Sequence, residues 1–452
     1  MRHYVDIGVV RIQRYLSRTP TLRGRRNASS ALVTAMTVDD SLLAGRAGIN
    51  PEAGRVDGVL SLAMDQHQPA LVGQLLAHLR KALPGAEFEV ACGDGEDYLR
   101  AYAEQIKPKR ERGQVRVDLP AGAEFPLAAL CGICRVDPAV GRVDLGPDDG
   151  ERDACADCLI RHPREARQQA RTAELRLAEA VGFTAEQIPR KFDDLATLAS
   201  GESQQHLATV HADGNQVGSF FARLAERGGV DRASVVARLS QCTVDALAAA
   251  TPVVRRPSDP VLCVVPHLLG GDDVLVSLPA ERAWRFTVEF VRDFGQRTAR
   301  LVRELGITDI EPPTMSAGVV FGRRNFPFAL TVERAEHCLR QAKGKGAGRR
   351  PWIGFADVVV GASGPAGDPV SLAALRAHGD ALRELVALPR SNQYRLVEAL
   401  DRGGLTAART LAARLGHPRT IEPFLLSEDS VESSQDETIG LRQALRIARW
   451  WR

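Results

Sequence analysis

The chain has 452 residues, 44% hydrophobic and 25% charged, with a formal net charge of +3. Its length divides into about three ordinary domains, and the composition is that of a soluble, folded protein. No run approaches the ~18 apolar residues of a membrane span. The first residues, MRHYVDIGVVRIQRYL, carry no signal-peptide core or cleavage site and read as a first strand, so the expected setting is the cytoplasm, with no membrane partner.

Residues 4–12 (YVDIGVVRI) predict a strand. The following QRYLSRTPTLRGRRNASSALVTAM reads as a basic loop entering a helix, with Asn27 as its cap and Ala28, Ala31, Leu32 and Ala35 as its apolar face. A second strand is expected over 56–64, an amphipathic helix over 70–83 and a third strand over 86–92. This α/β order is that of a ferredoxin-like or palm-type unit, assigned to residues 1–125. Asp6 lies where the first strand of a palm carries a metal ligand. No acidic tetrad answers it, and the stretch from Gly93 to Asp97 reads equally well as a loop, so this unit is expected to be structural or RNA-contacting. Basic residues gather in three groups: Arg11 to Arg26, Lys107 to Arg116, and Lys343 to Arg350. Each is either a patch for a phosphate-bearing partner or ordinary surface arginine.

Within residues 126–165 stand CGIC (Cys131, Cys134) and CADC (Cys155, Cys158), twenty residues apart. Two thiolate pairs at this spacing form chelating knuckles, and four soft ligands suit tetrahedral Zn2+. An iron-sulfur cluster or paired disulfides are the alternatives. Four sulfur ligands leave no open position, which marks a structural staple. The other cysteines are scattered, as in a reducing compartment.

Residues 166–360 open with a helix around AELRLAEAVGF. Leu207 to Val210 then form a short strand with Asp213 at its end, a turn containing Gly214, and a helix from about Val217. The amides at that helix start suit a triphosphate while Asp213 holds its cation; a plain turn residue or helix cap is the alternative. A long helix over 231–250 precedes two apolar runs, 261–269 and 274–278, separated by Gly270-Gly271-Asp272-Asp273. Glycines there predict a hairpin turn, and adjacent carboxylates repel unless a cation holds them; a solvated turn is the bland reading. A helix over 281–305, a strand over 314–321 and a helix carrying Lys343 complete an elaborated palm. In such a fold the first strand lies beside the hairpin, gathering Asp213, Asp272 and Asp273 as a two-metal nucleotidyl site. Residues 361–369 (GASGPAGDP) read as a linker. Helical patterns follow to Arg452, a small bundle over 361–452 in which Trp450 and Trp451 either finish a core helix or stack on a partner or RNA.

The stretches VRIQRYL and LRGRRNASSALV, the CGIC and CADC pairs, HADGNQVGSFF, LLGGDDVLVSLP, and MSAGVVF with AEHCLRQAKGKG occur in an order that resembles the large polymerase-cyclase subunit of type III CRISPR RNA-guided effector complexes. The resemblance covers most of residues 1–360 and implies two palm domains, the second catalytic, around a zinc module. It implies that Asp213, Asp272 and Asp273 bind Mg2+ or Mn2+, that Gly270 and Gly271 let ATP approach, and that Gly214, Ser316 and Lys343 line the nucleotide site. It further implies synthesis of cyclic oligoadenylate from ATP when target RNA is captured, with guide RNA, target RNA and other complex subunits as partners and the C-terminal helices contacting small subunits. The histidine-aspartate nuclease domain found in many members has no room here, so single-stranded DNA cleavage is not expected. A stand-alone nucleotide cyclase and a catalytically silent scaffold are the competing readings.

Overall fold

The computed structural model describes residues 1–38, 40–43, 45–53, 58–120, 129–146, 150–162, 172–227, 231–359, 367–425 and 438–452. The first strands are β1 (Arg2–Val10), β2 (Gly48–Ile49), β3 (Val59–Met64), β4 (Glu87–Gly95) and β5 (Arg116–Asp118), an antiparallel sheet in the order β2-β3-β1-β4-β5. A small hairpin of β6 (Gly141–Asp144) and β7 (Glu151–Ala154) carries the cysteine module. The second large sheet comprises β8 (His206–Asn215), β9 (Val265–Gly270), β10 (Asp273–Pro279), β11 (Thr314–Arg323), β12 (Trp352–Asp357) and β13 (Gly367–Ser371), in the order β13-β12-β11-β8-β10-β9. Among the described residues only the β11–β12 pair is parallel. In both sheets the opening strand sits between the second arm of a hairpin and a later strand, β3-β1-β4 and β10-β8-β11. That is the strand order of a ferredoxin-like unit.

The helices follow from their apolar stripes. Pro69–Ala82 starts with proline at its first turn, buries Leu71, Val72, Leu75, Leu76 and Leu79 against the first sheet, and ends on Arg80 and Lys81, as the helix dipole favours. Ala283–Glu304 buries Trp284, Phe286, Phe290, Phe294 and Leu301 in the larger core around the second sheet. Leu268, Leu275, Phe328 and Val332 of the second half join the core of the first, tying the two sheets together.

Several boundaries differ from the sequence reading. The first strand stops at Val10, because Arg11 takes a left-handed conformation (φ 55°, ψ 47°) and turns the chain into the helix Ile12–Ser17. The next helix, Leu22–Ala35, is capped by Thr21, whose hydroxyl accepts from Gly24 N at 3.1 Å. Asn27 lies inside that helix, and its amide donates to Arg161 O at 2.6 Å. Of the predicted linker, residues 361–366 lie outside the described residues, while Gly367–Ser371 is strand β13, paired with β12. The C-terminal helices pack against the second sheet. Trp450, 3% exposed, stacks on Phe321 at 5.3 Å and donates to Asp357 Oδ2 at 2.8 Å, so it finishes a core. Among the described residues no helix is long and apolar enough to cross a membrane.

Candidate functional site

Strands β9 and β10 meet at a tight turn. Asp273 pairs in register with Gly270, leaving Gly271 and Asp272 at the tip. Gly271 adopts φ 60°, a left-handed value that favours glycine, and its carbonyl accepts from Thr243 Oγ1 at 2.7 Å. Strand β8 pairs with β10, Ala212 facing Val274, which brings Asp213 beside the turn. Asp213 stands within the strand rather than at its end, since β8 continues to Asn215. Gly214 is needed for close approach: a Cβ there would sit 2.3 Å from Asp272 Oδ2. Asp213 therefore meets the adjacent carboxylates of Asp272 and Asp273, about 60 positions on, at one edge of the sheet.

Their electrostatics are those of crowded like charges. Burial first, then the charge of Asp213, pushes the Asp272 carboxyl up to about 7. Burial also raises Asp213, and Asp273 adds to this, while Lys343 opposes it. The Lys343 ammonium is salt-bridged to Asp213 and donates to Gly214 O at 2.8 Å. The lysine therefore neutralises the carboxylate cluster and does more than complement a helix C-terminus.

Residues outside the expected set complete the surroundings. His211 Nε2 lies 2.8 Å from Asp273 Oδ1. Burial favours its neutral form, but the hydrogen bond to Asp273 and nearby Asp213 prevail and raise it. Period-two alternation along β8 puts His211 and Asp213 on one face, a signal available in the sequence. Gln13, from the helix that follows Arg11, donates to Asp273 Oδ2 across 260 positions of sequence, which no local pattern announces. Ser316 faces Asp213 in the β8–β11 register but is fully buried. Its hydroxyl takes hydrogen bonds from Asn215 Nδ2 at 3.0 Å and Trp352 N at 3.2 Å. At the end of β8, Gln216 has φ 61° before the helix Val217–Arg227, whose first amides face away from the helix body.

The cysteine module closes as its spacing predicts. Among the described residues, the metal-binding side chains whose ligand atoms all fall within 4.8 Å of one another are Cys131, Cys134, Cys155 and Cys158, and separately His3, His67 and Cys92. The set of Asp213, Asp272 and Asp273 is more open. All eight cysteines are free of disulfides. Hydrogen bonds from the Cys155 and Cys158 thiols favour the thiolate at Cys134, while the same sharing pushes Cys155 up to about 12.

The basic groups divide. Arg25 is 1% exposed, donates to Thr19 O at 3.0 Å and lies over the Phe328 ring at 3.3 Å. Arg18 and Arg26 are paired with Asp137 and Glu174. These three are internal braces, whereas Arg11 and Arg14 remain near the surface beside Gln13.

Residues 206–350 match the family model described as Cas10/Cmr2, second palm domain. No curated protein sequence matches the chain. Among solved structures, a chain of a Csm1-Csm4 cassette in complex with cA4 aligns at 13% identity with TM-score 0.61, covering 99% of this chain and 69% of that one. A chain of the cassette in complex with AMPPNP gives 13% identity and TM-score 0.57, over 99% and 69%. A chain of the Csm1-Csm4 subcomplex in a type III-A CRISPR-Csm interference complex gives 13% and 0.54, over 99% and 69%. At such identity the likeness is one of fold. The chain thus carries a Cas10/Cmr2-like second palm domain, set in a fold that follows one chain of the Csm1-Csm4 cassette along nearly its whole length.

Proposed function

We propose that this chain is the polymerase-cyclase subunit of a type III CRISPR RNA-guided complex, joining ATP into cyclic oligoadenylate when target RNA is captured. The observation that carries the reading is the convergence of Asp213 on β8 with Asp272 and Asp273 at the β9–β10 turn. The family match over the same residues supports it, as do fold relatives solved with AMPPNP, one ATP and cA4.

The donor set fits Mg2+ or Mn2+: oxygen ligands only, with Asp272 raised to about 7 by burial and by a neighbouring carboxylate, a repulsion that a cation relieves. Asp213, Asp272 and Asp273 would hold these ions, which when bound promote ionisation of the attacking 3′-hydroxyl and stabilise the pyrophosphate that leaves. The chain's own residues do the rest. His211 and Gln13 fix the Asp273 carboxylate by one hydrogen bond to each oxygen. Lys343, released from Asp213, becomes a cation for the phosphates. The amides opening Val217–Arg227 face the anion, and Gly270 and Gly271 keep side chains out of its way. Ser316 holds Asn215 under the site, and contact with nucleotide requires it to give up a hydrogen bond.

The cysteine module fits Zn2+. The Cys134 and Cys155 sulfurs are 3.7 Å apart, against a tetrahedral edge of about 3.8 Å for Zn–S bonds of about 2.3 Å. Its role is structural, between a first palm of residues 1–125, structural or RNA-contacting, and a catalytic palm over 166–360. The C-terminal helices meet the small subunits.

The test is a product assay on the assembled complex, with ATP and matched target RNA and the product identified by mass. Cyclic oligoadenylate that disappears in the Asp272→Ala/Asp273→Ala variant is expected. Unchanged synthesis in that variant would overturn the reading.

A further inference from the structure

A second cluster of ligand side chains lies at the end of the first sheet, on residues outside the set proposed for nucleotide chemistry. His3 stands on β1 and Cys92 on the neighbouring β4. The register pairs His3 with Asp94 and Val5 with Cys92, so His3, Asp94 and Cys92 share one face. His67 approaches that face from the turn preceding the helix Pro69–Ala82. His3 Nδ1 lies 2.7 Å from Asp94 Oδ1, and its Nε2 lies 2.9 Å from His67 Nδ1. One nitrogen from each imidazole and the Cys92 sulfur all fall within 4.8 Å of one another.

We propose that His3, His67 and Cys92 form a site for a borderline-soft divalent ion, Zn2+ or its relatives Co2+ and Ni2+, with Asp94 as the group that orients His3. The hydrogen bonds dictate the proton arrangement. A carboxylate acceptor holds the proton of His3 on Nδ1 and leaves the Nε2 lone pair directed at His67. Two imidazole nitrogens 2.9 Å apart require one donor, so His67 presents Nδ1–H. An entering ion takes that proton's place. His67 moves its proton to the solvent-facing Nε2, Cys92 loses its thiol proton, and one proton is released for each ion bound.

The geometry needs little adjustment. Metal–nitrogen bonds of about 2.0–2.1 Å at a tetrahedral angle set the two nitrogens about 3.3 Å apart, a few tenths of an ångström beyond their present spacing. The surroundings are built to hold the ligands still. Gln105 grips the Asp94 backbone at both ends, accepting from its N at 3.2 Å and donating to its O at 2.7 Å. Lys109 donates to the Cys92 carbonyl at 2.7 Å, and the core of the first sheet packs against the Cys92 side chain. Two imidazoles and a thiolate select Zn2+, Co2+ or Ni2+ over Mg2+. Three protein ligands leave a fourth position, and exposed His67 borders it, so water completes the shell.

The experiment titrates the full chain with Co2+ and, separately, measures Zn2+ content after dialysis against buffered Zn2+ with excess Mg2+. Wild type is compared with His67→Ala, Cys92→Ser and Asp94→Asn. Each ligand variant is expected to hold one Zn2+ per chain fewer than wild type, whatever the cysteine module holds, and Cys92→Ser to lose part of the Co2+–thiolate absorption. Asp94→Asn is expected to weaken Co2+ binding by about 10–100-fold. His67 is exposed, so His67→Ala keeps the fold, and an unchanged circular dichroism spectrum verifies this. Equal metal content in wild type and both ligand variants would overturn the proposal and leave His3, His67 and Asp94 as a hydrogen-bond relay.

Discussion

Asp6 and Asp213 stand on the opening strands of two sheets that share a strand order, and their fates differ. Asp6 is 1% exposed and held at both oxygens: it accepts from Ser61 Oγ at 2.6 Å and Tyr98 Oη at 2.8 Å, with Arg110 at 3.7 Å. Burial and the Asp6 charge in turn hold the Tyr98 phenol protonated. The side chain of Asp213 is 35% exposed, and its side-chain partner is a single cation, Lys343. The first carboxylate is closed off from solvent with a hydrogen bond at each oxygen. The second is partly open to solvent, and the β9–β10 turn delivers two more carboxylates to it. A strand position alone does not leave a carboxylate open to a cation; exposure beside other carboxylates does.

The largest expected effect separates the two aspartates directly. Asp213→Asn should cut ATP turnover in the assembled complex by about 10³-fold, because the cation loses a charged ligand that no neighbour replaces. Its urea midpoint should barely move. Asp6→Ala should do the reverse: turnover per folded molecule stays near wild type, while stability falls by about 2–4 kcal/mol as the buried Ser61 and Tyr98 hydroxyls lose their acceptor, Arg110 keeping its 2.7 Å pair with Glu89. Loss of turnover in fully folded Asp6→Ala would make the first sheet part of the chemistry.

A smaller effect concerns acid. His162, 3% exposed, sits beside the first-half helix Leu22–Ala35 and close to Gly24. Burial, then the charges of Arg23 and Arg161, lower it from 6.5 to about 4. Its unfolded value lies above its folded one, so its contribution is fully present above about pH 6.5 and is lost as pH falls through 4, about 3 kcal/mol in all. His267, buried in the second half, is lowered by burial and by Arg25 and Arg26, so it acts in the same direction. Urea unfolding of His162→Phe at pH 7.5 and 4.5 should show a shallower acid loss than wild type. An identical loss would mean that His162 contributes nothing to it.

Much of the second half was legible because its signals are local. The apolar runs around Gly270 to Asp273, the strand before Val217 and the stripe of Phe328–Lys345 each follow one periodicity. The paired CxxC knuckles are equally self-contained. What escaped depends on distance or on single dihedral angles. The left-handed turn at Arg11 creates a helix where a loop was expected, and only that helix carries Gln13 to Asp273. Arg18, Arg25 and Arg26 read as a surface patch because their acidic, carbonyl and aromatic partners are distant or carry no local signature. Strands β12 and β13 extend the second sheet at an edge that no motif marks.

The finest probe of the comparison is a methyl group. At Gly214 an added Cβ would lie 2.3 Å from Asp272 Oδ2, 2.6 Å from a Val217 methyl carbon and 2.9 Å from Asp272 Cβ. At Gly8, on the opening strand of the first sheet, the nearest atoms are 3.7 Å away, which is ordinary contact. Gly8→Ala should therefore leave activity and stability close to wild type. Gly214→Ala must push the Asp272 side chain aside, because the other obstacle is the start of a packed helix. A displacement near 1 Å of a residue that holds the reacting groups costs on the order of 10²-fold in rate. The prediction is a kcat loss of roughly that size with the Mn2+ dependence shifted to higher concentration, read on the assembled complex. A Gly214→Ala protein with wild-type kcat would show that Asp272 can work from another rotamer, and would reduce the fixed part of the site to Asp213 and Asp273.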